Sequence, residues 1–305
     1  MKGRVMRSTG LWYNVIGEDS KVYTCRARGK FRLDGIKESN PIAVGDLVIF
    51  DHDQKEGHIT ELLPRENLIE RKSVKKTGHS HVLAANIDQV MLIATIKQPR
   101  TSLGFIDRFL VSAEAYRIPQ ILIFNKRDVL GSNELQELDE LLYLYATLHV
   151  TTKSISAKDD ENLDELQSML QGKTTLIAGH SGVGKSTLLN RLSDTIHQSV
   201  NEISGFSEKG THTTTFAEMF QINSSTFLID TPGVKEWGLM DMNSQEISDY
   251  FPEMRDRRLD CKFGSRCIHL TEPGCAVLAA IESGDIAVCR YQSYVSMVSA
   301  DDNRR

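Results

Sequence analysis

A glycine-rich stretch, GHSGVGKS at residues 179–186, matches the pattern G-x-x-x-x-G-K-[ST] between a strand-like and a helix-like segment. Glycines in this arrangement let successive backbone N–H groups surround phosphates at the positive end of a helix. The pattern assigns Lys185 to the β- and γ-phosphates and the Ser186 hydroxyl to Mg²⁺. We therefore predict a nucleotide phosphate site made by Gly179, His180, Ser181, Gly182, Val183, Gly184, Lys185, Ser186 and Thr187.

A second polar motif, NKRD at residues 125–128, has the residue types that read a guanine base. The Asp128 carboxylate can accept from guanine N1–H and from the exocyclic amino group, whereas adenine presents an acceptor at N1. Asn125 is expected to contact the base edge and hold the loop, and the Lys126 stem to cover a ring face. A later short loop is expected to offer a backbone N–H to guanine O6. The predicted base-reading set is Asn125, Lys126, Arg127, Asp128, Ser156, Ala157 and Lys158.

Two segments after the phosphate loop are expected to sense the γ-phosphate. GTHTTTF at 210–216 is a polar loop from which Thr214 is predicted to coordinate Mg²⁺, with Thr213 and Thr215 left as alternatives. In FLIDTPG, Asp230 is predicted to bind a Mg²⁺-bound water and the Gly233 N–H to bind the γ-phosphate.

The order of these motifs is a circular permutation of the usual GTPase order, because the base reader precedes the phosphate loop. Such a rearrangement keeps the same contacts when the original termini lie close together at the surface. DTPGVKEW then leads directly into the C-terminal region. We expect movement of this second γ-phosphate-sensing segment to be transmitted to residues 238–305.

The residue after Gly233 is Val234, where many GTPases have a Gln that orients the attacking water. Valine cannot form that hydrogen bond, so intrinsic hydrolysis is expected to be slow. His212 is the candidate for positioning the water, because an imidazole ring nitrogen can hold a water molecule or accept its proton. A surface histidine with no catalytic role is the alternative.

A cluster of thiols and one imidazole lies in CKFGSRCIHLTEPGC at residues 261–275. Three thiolates and one imidazole form a closed tetrahedral set that is typical of structural zinc. The predicted zinc ligands are Cys261, Cys267, His269 and Cys275.

The chain has 305 residues, enough for more than one hydrophobic core. Short alternating stretches over 1–68 predict a β-barrel, for which an OB-fold is preferred. Buried strands alternating with amphipathic helices over 69–238 predict an α/β domain with a mainly parallel sheet. Residues 239–305 are expected to form a helical, zinc-binding domain.

The net charge is −5, but residues 1–76 carry 15 Lys and Arg against 11 Asp and Glu. A modestly basic N-terminal module keeps RNA among the possible partners. The N-terminus has no apolar stretch typical of a signal peptide and no run is long enough for a membrane span, so a cytoplasmic location is expected. A monomer is also expected.

The permuted order NKRD–SAK–GHSGVGKST–GTHTTT–DTPG, between a barrel and a Cys/His segment, resembles the bacterial ribosome small-subunit-dependent GTPase A family across essentially the whole chain. The resemblance implies GTP hydrolysis stimulated by the small ribosomal subunit during its late maturation. The chain departs from the family pattern C-x4-C-x-H by having five residues between Cys261 and Cys267, and it has Thr211 where a basic residue is usual. The alternatives are a large-subunit assembly GTPase and an RNA-binding or chaperone module whose nucleotide is only structural.

Overall fold

Strand β1 (Lys2–Ser8) belongs to a barrel and also joins that barrel to an open sheet. The computed structural model describes residues 1–27, 42–53, 56–72, 80–159, 162–192, 217–230 and 242–299. Within these ranges, no helix combines the length and the apolar composition that crossing a membrane requires.

The barrel strands are β1 (Lys2–Ser8), β2 (Tyr13–Gly17), β3 (Val22–Ala27), β4 (Leu47–His52) and β5 (Gly57–Leu62). Their order is β1–β2–β3–β5–β4, and β4 pairs back onto β1 to close the barrel. Strands β3 and β5 run parallel, and the other neighbours are antiparallel. Because side chains alternate along each strand, Val5, Val15 and Phe50 point inward and are fully buried.

The central sheet contains β8 (Gln89–Ala94), β9 (Gln120–Phe124), β10 (Thr151–Ser154), β11 (Thr174–Ala178), β12 (Glu218–Gln221) and β13 (Phe227–Asp230). The order is β10–β9–β8–β11–β13–β12; the first five strands are parallel and β12 is antiparallel to β13. Every residue of β8 is buried, as expected for a central strand covered on both faces. A separate antiparallel pair, β6 (Leu68–Lys72) and β7 (Ser80–Ala85), precedes this sheet.

Helices cover both faces of the sheet. On one face lie α1 (Leu103–Ala115) and α2 (Ser132–Thr147), and on the other lie α3 (Leu163–Leu170) and α4 (Lys185–Leu192). The apolar residues of α1 recur every three or four positions, so one side of the helix packs against β8 and β9. Ser102 is the N-cap residue of α1, and its side chain accepts a hydrogen bond from the Phe105 N–H.

The C-terminal region contains α5 (Ser244–Asp249), α6 (Pro252–Arg255), α7 (Ala276–Glu282) and α8 (Val288–Val298), with 3₁₀ turns at Arg258–Asp260 and Gly264–Arg266. Its core includes Phe251 and Tyr294, whose ring centroids are 5.7 Å apart in an edge-on arrangement. Val111 of α1 belongs to the same buried cluster, so this region shares a core with the central domain.

A buried ionic network reinforces that shared core. Arg290 on α8, only 2% exposed, donates to Asp107 on α1 and to Glu253 on α6. Tyr145 on α2 donates to the same Asp107 oxygen at 2.8 Å. Burial opposes the charge on Arg290, but Asp107 and Glu253 outweigh it and raise the pKa of the guanidinium. Arg290 therefore remains charged, and its network holds α8 to α1.

The barrel meets the central sheet through β1. Arg7 lies opposite Glu218 in a single antiparallel pairing of β1 with β12. Arg4 donates to the Thr174 hydroxyl at 2.8 Å, and its guanidinium lies 4.8 Å from the centroid of the Phe227 ring. The barrel therefore contacts β11, β12 and β13.

The predicted fold class is confirmed: a five-stranded barrel precedes an α/β domain, and a helical region with a Cys/His cluster follows. The β6–β7 pair was missed, because neither of its two segments was recognised as a strand from the sequence pattern. The limits predicted for the three domains remain predictions.

Replacing Arg290 by Met should destabilise the protein by about 3–5 kcal/mol, because Asp107 and Glu253 would be left buried without their cation. Urea unfolding of the full chain measures this change. Arg266→Met is the matched control, since Arg266 is exposed in the same region and should shift the free energy of unfolding by no more than about 0.5 kcal/mol. Equal unfolding midpoints for the two variants would contradict a stabilising network.

Candidate nucleotide site and metal cluster

The predicted nucleotide-binding motifs meet at one edge of the sheet. NKRD follows β9, the 156–158 loop follows β10, the glycine-rich loop follows β11, and Asp230 ends β13. Because these strands are parallel, their carboxyl ends lie side by side. This is the edge at which open α/β sheets bind their ligands.

The buried side chain of Asn125 connects three of these segments. Its Nδ2 donates to the Val183 carbonyl in the glycine-rich loop at 2.8 Å. Its Oδ1 accepts from the Ala157 N–H in the 156–158 loop at 3.0 Å. Asn125 is only 4% exposed, so both bonds are shielded from water. One amide therefore fixes the spacing between the phosphate loop and the base-reading loop.

Glycine is required at position 184 by both conformation and space. The backbone φ of Gly184 is +94°, a region that L side chains rarely adopt. A Cβ at this position would lie 2.3 Å from Asn125 Nδ2. The loop and the Asn125 amide therefore approach each other as closely as they do only because residue 184 has no side chain.

Asp128 is exposed, and a neighbouring hydroxyl holds its carboxylate. Ser156 is buried, and its Oγ donates to Asp128 Oδ1 at 2.8 Å. The Arg127 N–H donates to the Ile155 carbonyl at 3.1 Å, while the Arg127 side chain is exposed. The sequence motif and the 156–158 loop are therefore joined by backbone and side-chain bonds, and Asp128 remains accessible to a ligand.

Lys126 begins a 3₁₀ turn in the left-handed backbone region, with φ of 66°. Its ammonium group donates to the carbonyl of Gln98, in the loop between β8 and α1. This loop also lies beside the phosphate loop, since a Cβ on Gly182 would lie 3.3 Å from Pro99 Cδ.

Lys185, at the start of α4, forms an ion pair with Asp230, and its Nζ lies 2.6 Å from Asp230 Oδ1. Both side chains are partly buried. The hydroxyl-bearing residues Ser181, Ser186 and Thr187 are exposed at the same loop and helix start. The residues predicted to bind Mg²⁺ and those predicted to bind phosphates are therefore adjacent in the fold.

Several predicted residues lie outside the described residues. These are His212, Thr214 and Gly233, together with Val234. Their assignments remain predictions.

Three supporting contacts were not predicted from the sequence. The His180 ring lies over Phe105, with ring centroids 3.9 Å apart. Arg191 on α4 donates to the exposed Lys158 backbone carbonyl at 3.2 Å. Gln98 accepts from Lys126 as described above. Each joins positions that are distant in sequence, so no local pattern identified them.

The four residues of the predicted metal cluster lie together in the C-terminal region. Cys261, Cys267, His269 and Cys275 are all buried, and their possible ligand atoms lie within 4.8 Å of one another. His269 Nδ1 is 3.3 Å from Cys275 Sγ and 3.6 Å from Cys261 Sγ. Five residues, instead of the family's usual four, separate Cys261 from Cys267, but Cys261 still lies beside the other three residues of the cluster.

The protonation chemistry of the cysteines and of His269 suits a bound cation. Burial raises the pKa of the Cys267 thiol to about 12 and also raises the pKa of Cys275. Burial lowers the pKa of His269, which keeps its imidazole neutral and able to act as a ligand. Buried thiolates need a compensating charge, and a bound metal ion would supply it.

The loop that carries Cys267 and His269 is held by neighbouring groups. Glu272 accepts from the N–H groups of Ile268 and Leu270 at 2.6 and 2.9 Å. Tyr294 donates to the Ile268 carbonyl at 2.6 Å, and Tyr291 donates to the His269 carbonyl at 2.9 Å. The loop is therefore organised by hydrogen bonds in addition to any metal.

Replacing Gly184 by Ala should weaken binding of a guanine nucleotide by about 100-fold or more, because the added Cβ would displace Asn125 and strain the loop. Titration with a fluorescent GDP analogue measures the affinity. Gly104→Ala is the control, since a Cβ there meets nothing within 4 Å. If both variants bind the analogue with the affinity of the parent protein, the close approach of Gly184 to Asn125 has no role in binding.

Family models and relatives match nearly all of the chain. The RsgA N-terminal domain matches residues 2–59, and the RsgA GTPase model matches residues 62–240. A small ribosomal subunit biogenesis GTPase RsgA of Christiangramia forsetii is 47% identical over 307 residues, covering 99% of this chain and 97% of that protein. The protein of the same name from Bacteroides fragilis is 46% identical over 299 residues, with coverage of 98% and 96%.

Solved structures show the same architecture. The crystal structure of YjeQ from Thermotoga maritima is 34% identical with a TM-score of 0.78, covering 100% of this chain and 99% of that chain. YloQ, described as a circularly permuted GTPase, is 30% identical with a TM-score of 0.75, and the coverage is 100% and 96%. The motif order, the fold and these matches agree: the chain belongs to the RsgA GTPase family.

Proposed function

We propose that this GTPase binds the small ribosomal subunit, acts in its late maturation and is stimulated by it. The observation that supports this most directly is the end-to-end match to relatives named small ribosomal subunit biogenesis GTPase RsgA. The site geometry supports the GTPase part of this proposal, because Asn125 joins the phosphate loop to the base-reading loop.

Guanine selection is assigned to Asp128 and the 156–158 loop. Ser156 donates to one Asp128 oxygen, which orients the carboxylate while leaving capacity to accept from guanine N1–H and the amino group. A backbone N–H of the loop would donate to guanine O6, where adenine carries an amino group. The Lys126 stem would lie against the base, and Asn125 would contact the base edge.

Phosphate binding is assigned to the 179–187 loop and helix start. Lys185 would exchange its contact with Asp230 for the β- and γ-phosphates, and Ser186 would bind Mg²⁺ with Thr214. Asp230 would then hold a Mg²⁺-bound water, and Gly233 would donate to the γ-phosphate. When bound, Mg²⁺ neutralises charge that develops on the phosphate oxygens.

The hydrolysis step requires a group that orients water, and Val234 cannot supply it. We assign this role to His212, whose neutral imidazole can accept a proton or hydrogen bond from the attacking water. Slow turnover in isolation and acceleration on the subunit follow from a group that is in place only when a partner positions it.

We assign zinc to the Cys261, Cys267, His269 and Cys275 cluster. Three sulfurs and one nitrogen suit tetrahedral zinc and leave no open position for catalysis. The ion would therefore stabilise the C-terminal region.

We further propose that the chain has three functional parts: an RNA-binding barrel at 1–68, the permuted GTPase domain at 69–238 and the zinc-binding domain at 239–305. The basic stretches that motivate RNA binding, at 25–32 and 71–76, lie mostly outside the described residues. A cytoplasmic monomer is consistent with a ribosome-assembly role.

Metal analysis of the purified protein should give one zinc ion per chain. Cys275→Ser should lose zinc and unfold at lower temperature, because the remaining buried donors cannot complete a tetrahedral site. Cys289→Ser is the matched control, since Cys289 lies outside the cluster on α8. Zinc retained at parent stoichiometry in Cys275→Ser would exclude this ligand set.

GTP turnover should be slow for the isolated protein and should rise by at least about tenfold with small ribosomal subunits, but not with large subunits. The comparison separates the proposed function from large-subunit assembly and from a structural nucleotide. His212→Ala should abolish most of the stimulated rate while the affinity for a GTP analogue stays near that of the parent, because the histidine is assigned to water and not to nucleotide binding.

His149→Ala is the control for this measurement, because His149 is exposed near the opposite end of the sheet, just before β10. Stimulation by large subunits alone would overturn the subunit assignment. Unchanged stimulated turnover in His212→Ala would overturn only the assignment of the histidine.

A further inference from the structure

A row of charged side chains runs from the barrel to the candidate Mg²⁺ site. Arg7 on β1 lies opposite Glu218 on β12, and Glu218 lies opposite Asp230 on β13. Arg7 Nη1 is 3.8 Å from Glu218 Oε1, and Asp230 is paired with Lys185. Directly opposed residues on adjacent strands present their side chains on the same face, so the charges follow one another as plus, minus, minus, plus.

The two carboxylates in the middle of this row are an unfavourable cross-strand pair. Like charges directly opposite each other destabilise a sheet, and here both side chains are partly buried, at 23% exposed for Glu218 and 29% for Asp230. Burial raises the pKa of Glu218, Arg7 lowers it and Asp230 raises it further. Arg7 is thus the barrel residue that offsets the charge of Glu218.

Nucleotide binding would change the contacts of Lys185 and Asp230 but not the pairing of Arg7 with Glu218. In the function proposed above, Lys185 would contact the phosphates, and Asp230 would help to hold Mg²⁺ through a bound water. The negative charge on Glu218 then strengthens the attraction of this site for a divalent cation, and the positive charge on Arg7 weakens it.

We propose that Arg7 and Glu218 are positioning residues that set the Mg²⁺ affinity of the nucleotide site through Asp230. Because Arg7 belongs to the barrel and Glu218 to the GTPase sheet, a partner that displaces the barrel from β12 also removes the positive charge from Glu218. Barrel displacement thereby tightens Mg²⁺ binding. This inference rests on the proposed assignment of Asp230 to Mg²⁺.

The test is the Mg²⁺ concentration that half-saturates binding of a fluorescent GDP analogue to the full chain. It is measured at constant ionic strength and at mildly alkaline pH, which favours the ionised form of Glu218 because burial raises its pKa. Glu218→Gln should raise the half-saturating concentration and Arg7→Gln should lower it, each by about three- to tenfold for loss of one charge near a partly exposed site. The double variant should return close to the parent value, because the two lost charges cancel.

Lys21→Gln is the matched control. It removes one positive charge from the same barrel, but Lys21 lies between β2 and β3 and pairs with Asp19, so the Mg²⁺ dependence should not change. Asp230→Asn tests the underlying assignment and should raise the half-saturating concentration well above that of Glu218→Gln.

The outcomes are distinct. Opposite shifts for Arg7→Gln and Glu218→Gln support the proposal, whereas shifts in the same direction indicate a structural role and overturn it. If Asp230→Asn changes the Mg²⁺ dependence but Arg7→Gln and Glu218→Gln do not, only the inference about Arg7 and Glu218 is wrong. An unchanged Asp230→Asn overturns the assignment of Asp230 as well.

Discussion

The site depends on the two hydrogen bonds of the Asn125 side chain. They connect the loop after β9 to the loops after β10 and β11, and the close approach of Gly184 makes one of them possible. Buried amide bonds of this kind are directional, so they fix both distance and orientation. A permuted chain needs such a connection, because the base-reading half and the phosphate half are separate stretches of sequence. The pocket is completed only when the two halves pack together.

The outer domains attach to the GTPase domain at different places. The barrel contacts β11, β12 and β13, which carry the phosphate loop and Asp230. The C-terminal region packs on α1 and bonds to α2 through Arg290, Asp107 and Tyr145. These helices belong to the base-reading half. The C-terminal region is therefore joined to the base-reading half. The barrel contacts the phosphate half and also β7, because the Val44 carbonyl accepts from the Ala85 N–H.

Features that depend on residues close together in the sequence could be predicted from it, whereas contacts between distant residues could not. The phosphate loop and NKRD were identifiable because their chemistry is encoded in a few consecutive residues, and the barrel and α/β classes followed from apolar periodicity. Arg290 and Asp107 are 183 positions apart. In the sequence, Asp107 is one polar residue in an amphipathic helix, and nothing local marks it as a buried ion-pair partner. The Arg7–Glu218 pairing was equally hidden, because it depends on how β1 meets the edge of another domain's sheet.

The Arg290 network also constrains the coupling expected between the nucleotide site and the C-terminal region. The chain leaves the sheet at Asp230, and the C-terminal region is fixed to α1 and α2 by Arg290. A pull from the segment after Asp230 would displace that region only by separating Arg290 from Asp107, which is costly for a buried pair. The ion pair of the barrel with β12 is partly exposed, with Arg7 42% exposed in its pair with Glu218. If nucleotide state changes the arrangement of domains, the partly exposed Arg7–Glu218 pair is therefore easier to separate than the buried pair of Arg290 with Asp107.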